Sequence, residues 1–258
     1  MAHVLVPLPD RDFDVTEVAV PWKLLAEAGH DVVFATEHGA QPAADPLLIT
    51  GVVFGALGAR PEAIGFYREL ERAPAFRAPL AWSACREADF DALFLAGGHA
   101  PGMRQYLGSA RVQAITSAFF ASAKPIAAIC HGALVAARST RPDGKSVLYG
   151  LRTTCLPKYM ERSAYLATFW RRGRYYRTYD VYVEDEVRAA LAKPSDFERG
   201  PRELARRGTR DDDGAAFVVE DGRYLSARWP GDAYLIGKRL LAALAVVGDA
   251  PAVTLGHA

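Results

Sequence analysis

Cysteine is scarce in this chain, long apolar runs are missing, and neither sign of charge dominates. Cys85, Cys130 and Cys155 are its only cysteines. An odd number without CxxC spacing argues against a disulfide framework or a structural zinc site, and it leaves at least one thiol free. No stretch approaches the roughly 18 uninterrupted apolar residues of a membrane-spanning helix. The opening Met1 to Pro9 lacks the basic and long apolar regions of a secretory leader. A cytoplasmic protein that engages no membrane is the expectation. With 31 basic against 30 acidic side chains the formal charge is +1, so nothing in the balance points to nucleic acid or an anionic surface. A small or neutral substrate fits better.

What is present is enough apolar material for a sizeable core: half of the 258 residues are hydrophobic. One α/β domain over 1–258 is expected. Short apolar runs at Val4–Leu8, Val32–Ala35, Ala92–Leu95 and Ile126–Ile129 read as buried strands. Helical spacing of Val15, Val18, Ala19, Trp22, Leu25 and Ala26 lies between the first two, with Gly29 as the C-terminal stop. Further helices are expected over Gln113–Ala123 and Ala133–Arg138. Strands alternating with helices predict an open, mostly parallel sheet. Near the C-terminus, Ala216–Glu220 and Arg223–Ala227 flank Asp221-Gly222, a hairpin signal at a sheet edge, and Tyr234–Val247 reads as an apolar helix. Residues 156–212 show no clean period and read as an insertion or cap. The run Arg210-Asp211-Asp212-Asp213-Gly214 reads as a solvated turn, with a metal site as the sharper alternative.

Chemistry concentrates where one strand ends. Ile126-Ala127-Ala128-Ile129-Cys130-His131-Gly132 places Cys130 between an apolar strand and a small-residue helix, a sharp turn that lifts its side chain above the carboxyl ends of the strands. A helix N-terminus beneath it is expected to lower the thiol pKa and favour the thiolate. The plain alternative is a small buried hydrophobe. Ala96-Gly97-Gly98-His99 follows another buried strand and can aim backbone N–H groups at a developing oxyanion. Glu17 falls at the start of the helix after the first strand, within reach of the thiol or as a capping and dipole partner of its own helix.

Together these segments resemble the DJ-1/PfpI (ThiJ) superfamily, of the class I glutamine amidotransferase-like fold, and within it the chaperone/glyoxalase branch. The resemblance implies a flavodoxin-like sandwich, helices on both faces of a mostly parallel sheet, and a homodimer. It implies Cys130 as nucleophile, Glu17 as the carboxylic acid hydrogen-bonded to its sulfur, the Gly98 and His131 amides as oxyanion hole, and His131 as general base. Gly150, Pro157 and Glu161 match the spacing of the branch's further acid, which makes Glu161 the expected group on the His131 ring N–H. Ala133 stands where the family commonly has Pro.

Around that core, His99, Tyr176, Arg177, Arg228 and Trp229 are candidate substrate contacts, with Arg177 or Arg228 holding a carboxylate and Trp229 or Tyr176 forming a wall. Packing of a cap or a dimer contact explains each equally well. The expected activity is cofactor-free and metal-free glyoxalase, hydro-lyase or hydratase chemistry on a small reactive carbonyl such as methylglyoxal. A redox-sensing or holdase stress protein is the alternative. Isocyanide hydratase, peptidase or amidotransferase chemistry ranks below it.

Overall fold

A run such as Val4-Leu5-Val6, apolar on both faces of a strand, is stable only when both faces are covered. In the computed structural model, which describes residues 1–248, all three side chains are buried at the centre of a sheet. The strands are β1 (His3–Pro7), β2 (Arg11–Phe13), β3 (Asp31–Thr36), β4 (Ala43–Ala44), β5 (Leu80–Ala81), β6 (Ala92–Leu95), β7 (Ile126–Ile129), β8 (Val218–Asp221) and β9 (Tyr224–Ala227). Seven form one sheet in the order β5-β3-β1-β6-β7-β9-β8, parallel except for β8, while β2 and β4 pair separately. The expected last ten residues of the domain lie outside the described residues.

Helices cover both faces. On one, α1 (Val15–Glu27) packs with α3 (Pro61–Leu70) and α10 (Ala233–Gly248), and the short α2 (Pro46–Thr50) precedes α3 in the chain. On the other, α5 (Met103–Leu107), α6 (Ala110–Ala121) and α9 (Val183–Ala189) pack around α7 (Gly132–Arg138). The short α4 (Pro74–Arg77) closes over β3, and α8 (Lys158–Arg172) lies against α9. Gly29 ends α1 as expected, with φ of 78° and its amide on the Ala26 carbonyl.

From β1 the chain builds outward to β3 and β5, then returns to the other side of β1 with β6. That reversal between β1 and β6 opens a crevice at the strands' carboxyl ends, the place where ligands bind in open α/β sheets. The start of α1 with Asp14 and Glu17 (following β1 and β2), the loop with Gly97 and Gly98 (after β6) and Cys130 (after β7) all lie there.

Several expected boundaries move. Helix α6 begins at Ala110 rather than Gln113, because the Ser109 hydroxyl caps the Val112 amide. The hairpin sits at the sheet edge as expected, yet β8 begins at Val218, not Ala216, since the Ala216 amide closes a turn onto Asp213. Strands β2, β4 and β5, of three or two residues, are too short to show a period. Segment 156–212 holds the 15-residue α8. Its inward positions Met160, Glu161, Ala164 and Thr168 have helical spacing, but two of the four are polar, which hides the amphipathic pattern. Around residue 212, Arg210 pairs with Glu27 at 2.7 Å and Lys238 with Asp213 at 2.9 Å, the solvated-turn arrangement.

Arg228 is a correction. Expected as a carboxylate clamp, it is fully buried and spent on the fold. Its Nε and Nη2 each lie 2.9 Å from Asp232 oxygens, and its Nη1 donates to the Pro201 carbonyl at 2.7 Å. Asp232 also accepts from the Phe217 amide at 2.9 Å, so the pair joins the end of β9, the start of α10 and the segment leading into β8. Removing one member strands the other charge in the interior. Arg228→Ala is therefore expected to lose about 3–5 kcal/mol of stability, measurable by urea unfolding; a loss below about 1 kcal/mol would contradict this role.

Candidate active site

Strand β7 stops at Ile129, and Cys130 turns the chain into α7 with φ of 59°, a left-handed conformation that residues with a side chain seldom adopt. Neighbouring strands hold it there: the Cys130 amide donates to the Ala227 carbonyl of β9 at 3.0 Å. The crossing is so close that a Cβ at Gly132 would collide with the Leu95 carbonyl of β6. The elbow expected from the sequence is present.

The sulfur lies 3.4 Å from His131 Nδ1, and His131 Nε2 lies 3.1 Å from Thr178 Oγ1. The Thr178 hydroxyl in turn sits 2.6 Å from the His99 carbonyl. A carbonyl only accepts, so the one Thr178 proton goes to His99 and Oγ1 accepts from Nε2–H. Nδ1 is therefore bare and faces the thiol. Burial holds the imidazole pKa down to about 3, which leaves a neutral base at all physiological pH values.

Thr178, not Glu161, occupies the position on the histidine ring. Glu161 is buried, accepts from the Val183 amide at 3.1 Å and lies 3.4 Å from Arg177 Nη1. Burial raises its pKa to about 7. Thr178 carried no signal in the sequence, because only the fold brings residue 178 to residue 131.

Asp14-Val15-Thr16-Glu17 is a capping-box pattern, and half of it forms. Asp14 Oδ1 accepts from the amides of Thr16 at 2.8 Å and Glu17 at 3.0 Å. The reciprocal half, Glu17 on the Asp14 amide, is absent because that amide donates to the Gly97 carbonyl at 2.9 Å. Released from capping, the Glu17 carboxyl faces the Cys130 sulfur and the Gly97 amide. It is wholly buried, and neither oxygen reaches good hydrogen-bond geometry. Burial, reinforced by Asp14, raises its pKa well above the carboxylate range, so Glu17 is a neutral acid. Only glycine fits at residue 97, where a Cβ would stand 2.5 Å from Glu17 Oε2 and 2.8 Å from Cys130 Cβ.

The thiol departs from expectation. Burial first, then the neighbouring carboxyls, push the Cys130 pKa up, and the His131 amide alone among the leading contributions works the other way. One turn of helix beneath the sulfur does not offset desolvation. The resting group is a thiol. The Gly98 and His131 amides are spent on no backbone carbonyl among the described residues.

Cys130, Glu17 and Asp14 line a cavity of about 320 Å³ together with His99, Met160, Glu161, Tyr176, Arg207 and Trp229, and His131 lies behind Cys130. His99 stacks on Tyr176 at 4.2 Å between ring centroids. Tyr176 and Trp229 thus form walls. Arg177 and Arg228 do not line the cavity; Arg207 does, and among the described residues it is the one lining residue with a permanent positive charge. Its guanidinium lies over the Trp229 ring at 5.2 Å and enters no hydrogen bond or ion pair among the described residues. In the sequence, Arg207 was one of several arginines in an unpatterned stretch.

The buried acids make stability depend on pH. Glu161 rises from 4.5 to about 7 and Asp14 from 3.8 to about 6 on folding. Across that window the folded state holds protons that the unfolded chain releases, so their stabilisation is complete below the unfolded values and is lost as pH climbs through the folded ones. Thermal melts between pH 4.5 and 8 are expected to fall with pH. Glu161→Gln should flatten the curve by on the order of 1–3 kcal/mol; identical slopes for the two proteins would contradict the assignment.

Comparison with known proteins agrees with this architecture. A family profile described as ThiJ/PfpI family-like matches residues 8–201. An uncharacterised protein of Schizosaccharomyces pombe is 26% identical over 245 residues, spanning 91% of this chain and 81% of its own. Among solved structures, Rapid Encystment Protein 24 of Francisella tularensis superposes with a TM-score of 0.70 at 15% identity, covering 95% of this chain and 99% of its own. Glyoxalase III of Candida albicans superposes at 0.67 with 18% identity, covering 94% and 97%. Identities this low carry the fold alone. From the family match over most of its length and from the fold, this chain belongs to the ThiJ/PfpI family-like group of the DJ-1/PfpI superfamily.

Proposed function

We propose that the chain is a cysteine-dependent, cofactor-free enzyme that converts a small 2-oxoaldehyde such as methylglyoxal to its 2-hydroxy acid with water. One observation carries the reading: Cys130 Sγ faces the unprotonated Nδ1 of a His131 whose tautomer is fixed by Thr178. A thiol that rests protonated needs such a base within reach as it attacks.

In this reading His131 Nδ1 takes the thiol proton while sulfur bonds to the aldehyde carbon. The new alkoxide falls to the Gly98 and His131 amides and then receives that proton back. His131, again a base, removes the hydrogen on that carbon as neutral Glu17 protonates the adjacent ketone oxygen, giving an enediol. Returning a proton to the second carbon, with the first hydroxyl proton passing to Glu17, leaves a thioester. Water cleaves it, releasing lactate and restoring the thiol. The glyoxalase III named among the structural neighbours supports this choice of chemistry.

Loss of methylglyoxal and appearance of lactate are expected for the wild type and not for Cys130→Ala; equal rates would remove Cys130 from the mechanism. Thr178→Val should lower kcat at least tenfold with little change in KM, and Thr178→Ser should restore it. An unaltered Thr178→Val profile would show that the ring needs no such partner. Arg207 is the proposed holder of a carboxylate on larger carbonyl substrates. Arg207→Met should raise KM about tenfold or more for a carboxylate-bearing 2-oxoaldehyde and leave that for methylglyoxal unchanged.

The same thiol beside a neutral acid also suits a redox sensor, since Glu17 can donate a hydrogen bond to a sulfinate oxygen. Peroxide adding oxygen at Cys130, with aldehyde turnover at background, would favour that reading.

A further inference from the structure

His99 stacks on Tyr176 and Tyr175 meets both rings edge-on, with centroids 4.2 to 4.9 Å apart, and the group has a cavity on each side. Tyr176 faces the Cys130 cavity. Tyr175 faces a second one of about 570 Å³, whose lining includes five arginines: Arg104, Arg171, Arg172, Arg174 and Arg177. In a chain with a formal charge of only +1, that is a steep local concentration of one sign. Among the described residues, no acidic side chain lines the cavity.

Two of the five lie against carboxyl groups from outside the cavity, Arg174 against Asp180 and Arg177 against Glu161. Arg104, Arg171 and Arg172 have no carboxylate partner among the described residues. Arg104 and Arg172 are nonetheless held in place, because their Nε atoms donate to the carbonyls of Thr178 at 2.7 Å and Val52 at 2.5 Å. Each guanidinium is thus anchored through one nitrogen, leaving its terminal N–H groups uncommitted. Arg171 lies over the Phe54 ring at 4.6 Å. Three positive forks held at one cavity repel each other, and a ligand with several acceptor oxygens relieves that repulsion.

We propose that this cleft is a second ligand site, separate from the Cys130 cavity, which binds a small organic phosphate. Guanidinium forks match phosphate oxygens in pairs. The volume lies within the range of small-molecule sites and is too small for a folded partner. Leu47, Pro101 and Tyr175 supply an apolar wall for the part of the ligand that bears no charge.

The test is calorimetric titration of the full chain with inorganic pyrophosphate and, separately, with a nucleoside diphosphate. Saturable binding that weakens as salt rises is expected for both. Tighter binding of the nucleotide would assign the apolar wall to its organic part; equal binding would assign recognition to the phosphates alone. Arg171→Glu, which removes no hydrogen bond of the fold, should weaken either ligand at least tenfold, and Arg171→Lys less. Cys130→Ala should bind like the wild type, which separates this site from the proposed chemistry. Absence of saturable binding, or an Arg171→Glu protein that binds as tightly as the wild type, would overturn the proposal.

Discussion

The site depends on one backbone hydrogen bond, from the Asp14 amide to the Gly97 carbonyl. It joins the loop after β1 to the loop after β6, across the point where the strand order reverses. It also occupies the donor that a capping box would give to Glu17. With that donor taken, the glutamate has no local partner and its carboxyl turns inward to the sulfur. Gly97, which makes the bond possible, is also the position where any side chain would strike Glu17 and Cys130. The loop, the acid and the elbow are thus one packing problem with one solution.

Burial then sets every protonation state. Glu17 is neutral because it is dry, although a glutamate in water is an anion at neutral pH, and burial keeps His131 neutral well below the ordinary imidazole range. The thiol is raised as well. The site therefore combines a neutral donor, a neutral acceptor and an unionised nucleophile, an arrangement suited to moving protons rather than stabilising a standing ion pair. Arg207 supplies the permanent charge, from its place over the Trp229 ring in the cavity lining.

Much of this was legible in the sequence, and the exceptions have physical causes. The β6 and β7 strands were readable to the residue, because fully buried parallel strands are continuous apolar runs. Cys130, His131, Glu17 and Gly97-Gly98 were readable because their spacing from strand ends fixes where they emerge. Thr178 was not, since its partners His131 and His99 lie 47 and 79 positions away, and Arg207 was not, since no local period marks it among the neighbouring arginines. Arg228 misled because an arginine in a motif-like stretch, Ser226 to Asp232, looks the same in sequence whether it clamps a ligand or, as here, an aspartate four residues on. Glu161 was found in the cavity but on different partners.

A protonated Glu17 against the sulfur is the central claim, and infrared spectroscopy reads it directly. The difference spectrum of wild type minus Glu17→Gln at neutral pH should contain the carbonyl stretch of a protonated carboxylic acid in a dry environment, persisting above the pH at which ordinary carboxyls ionise. A difference spectrum showing only the paired stretches of an ionised carboxylate would contradict it.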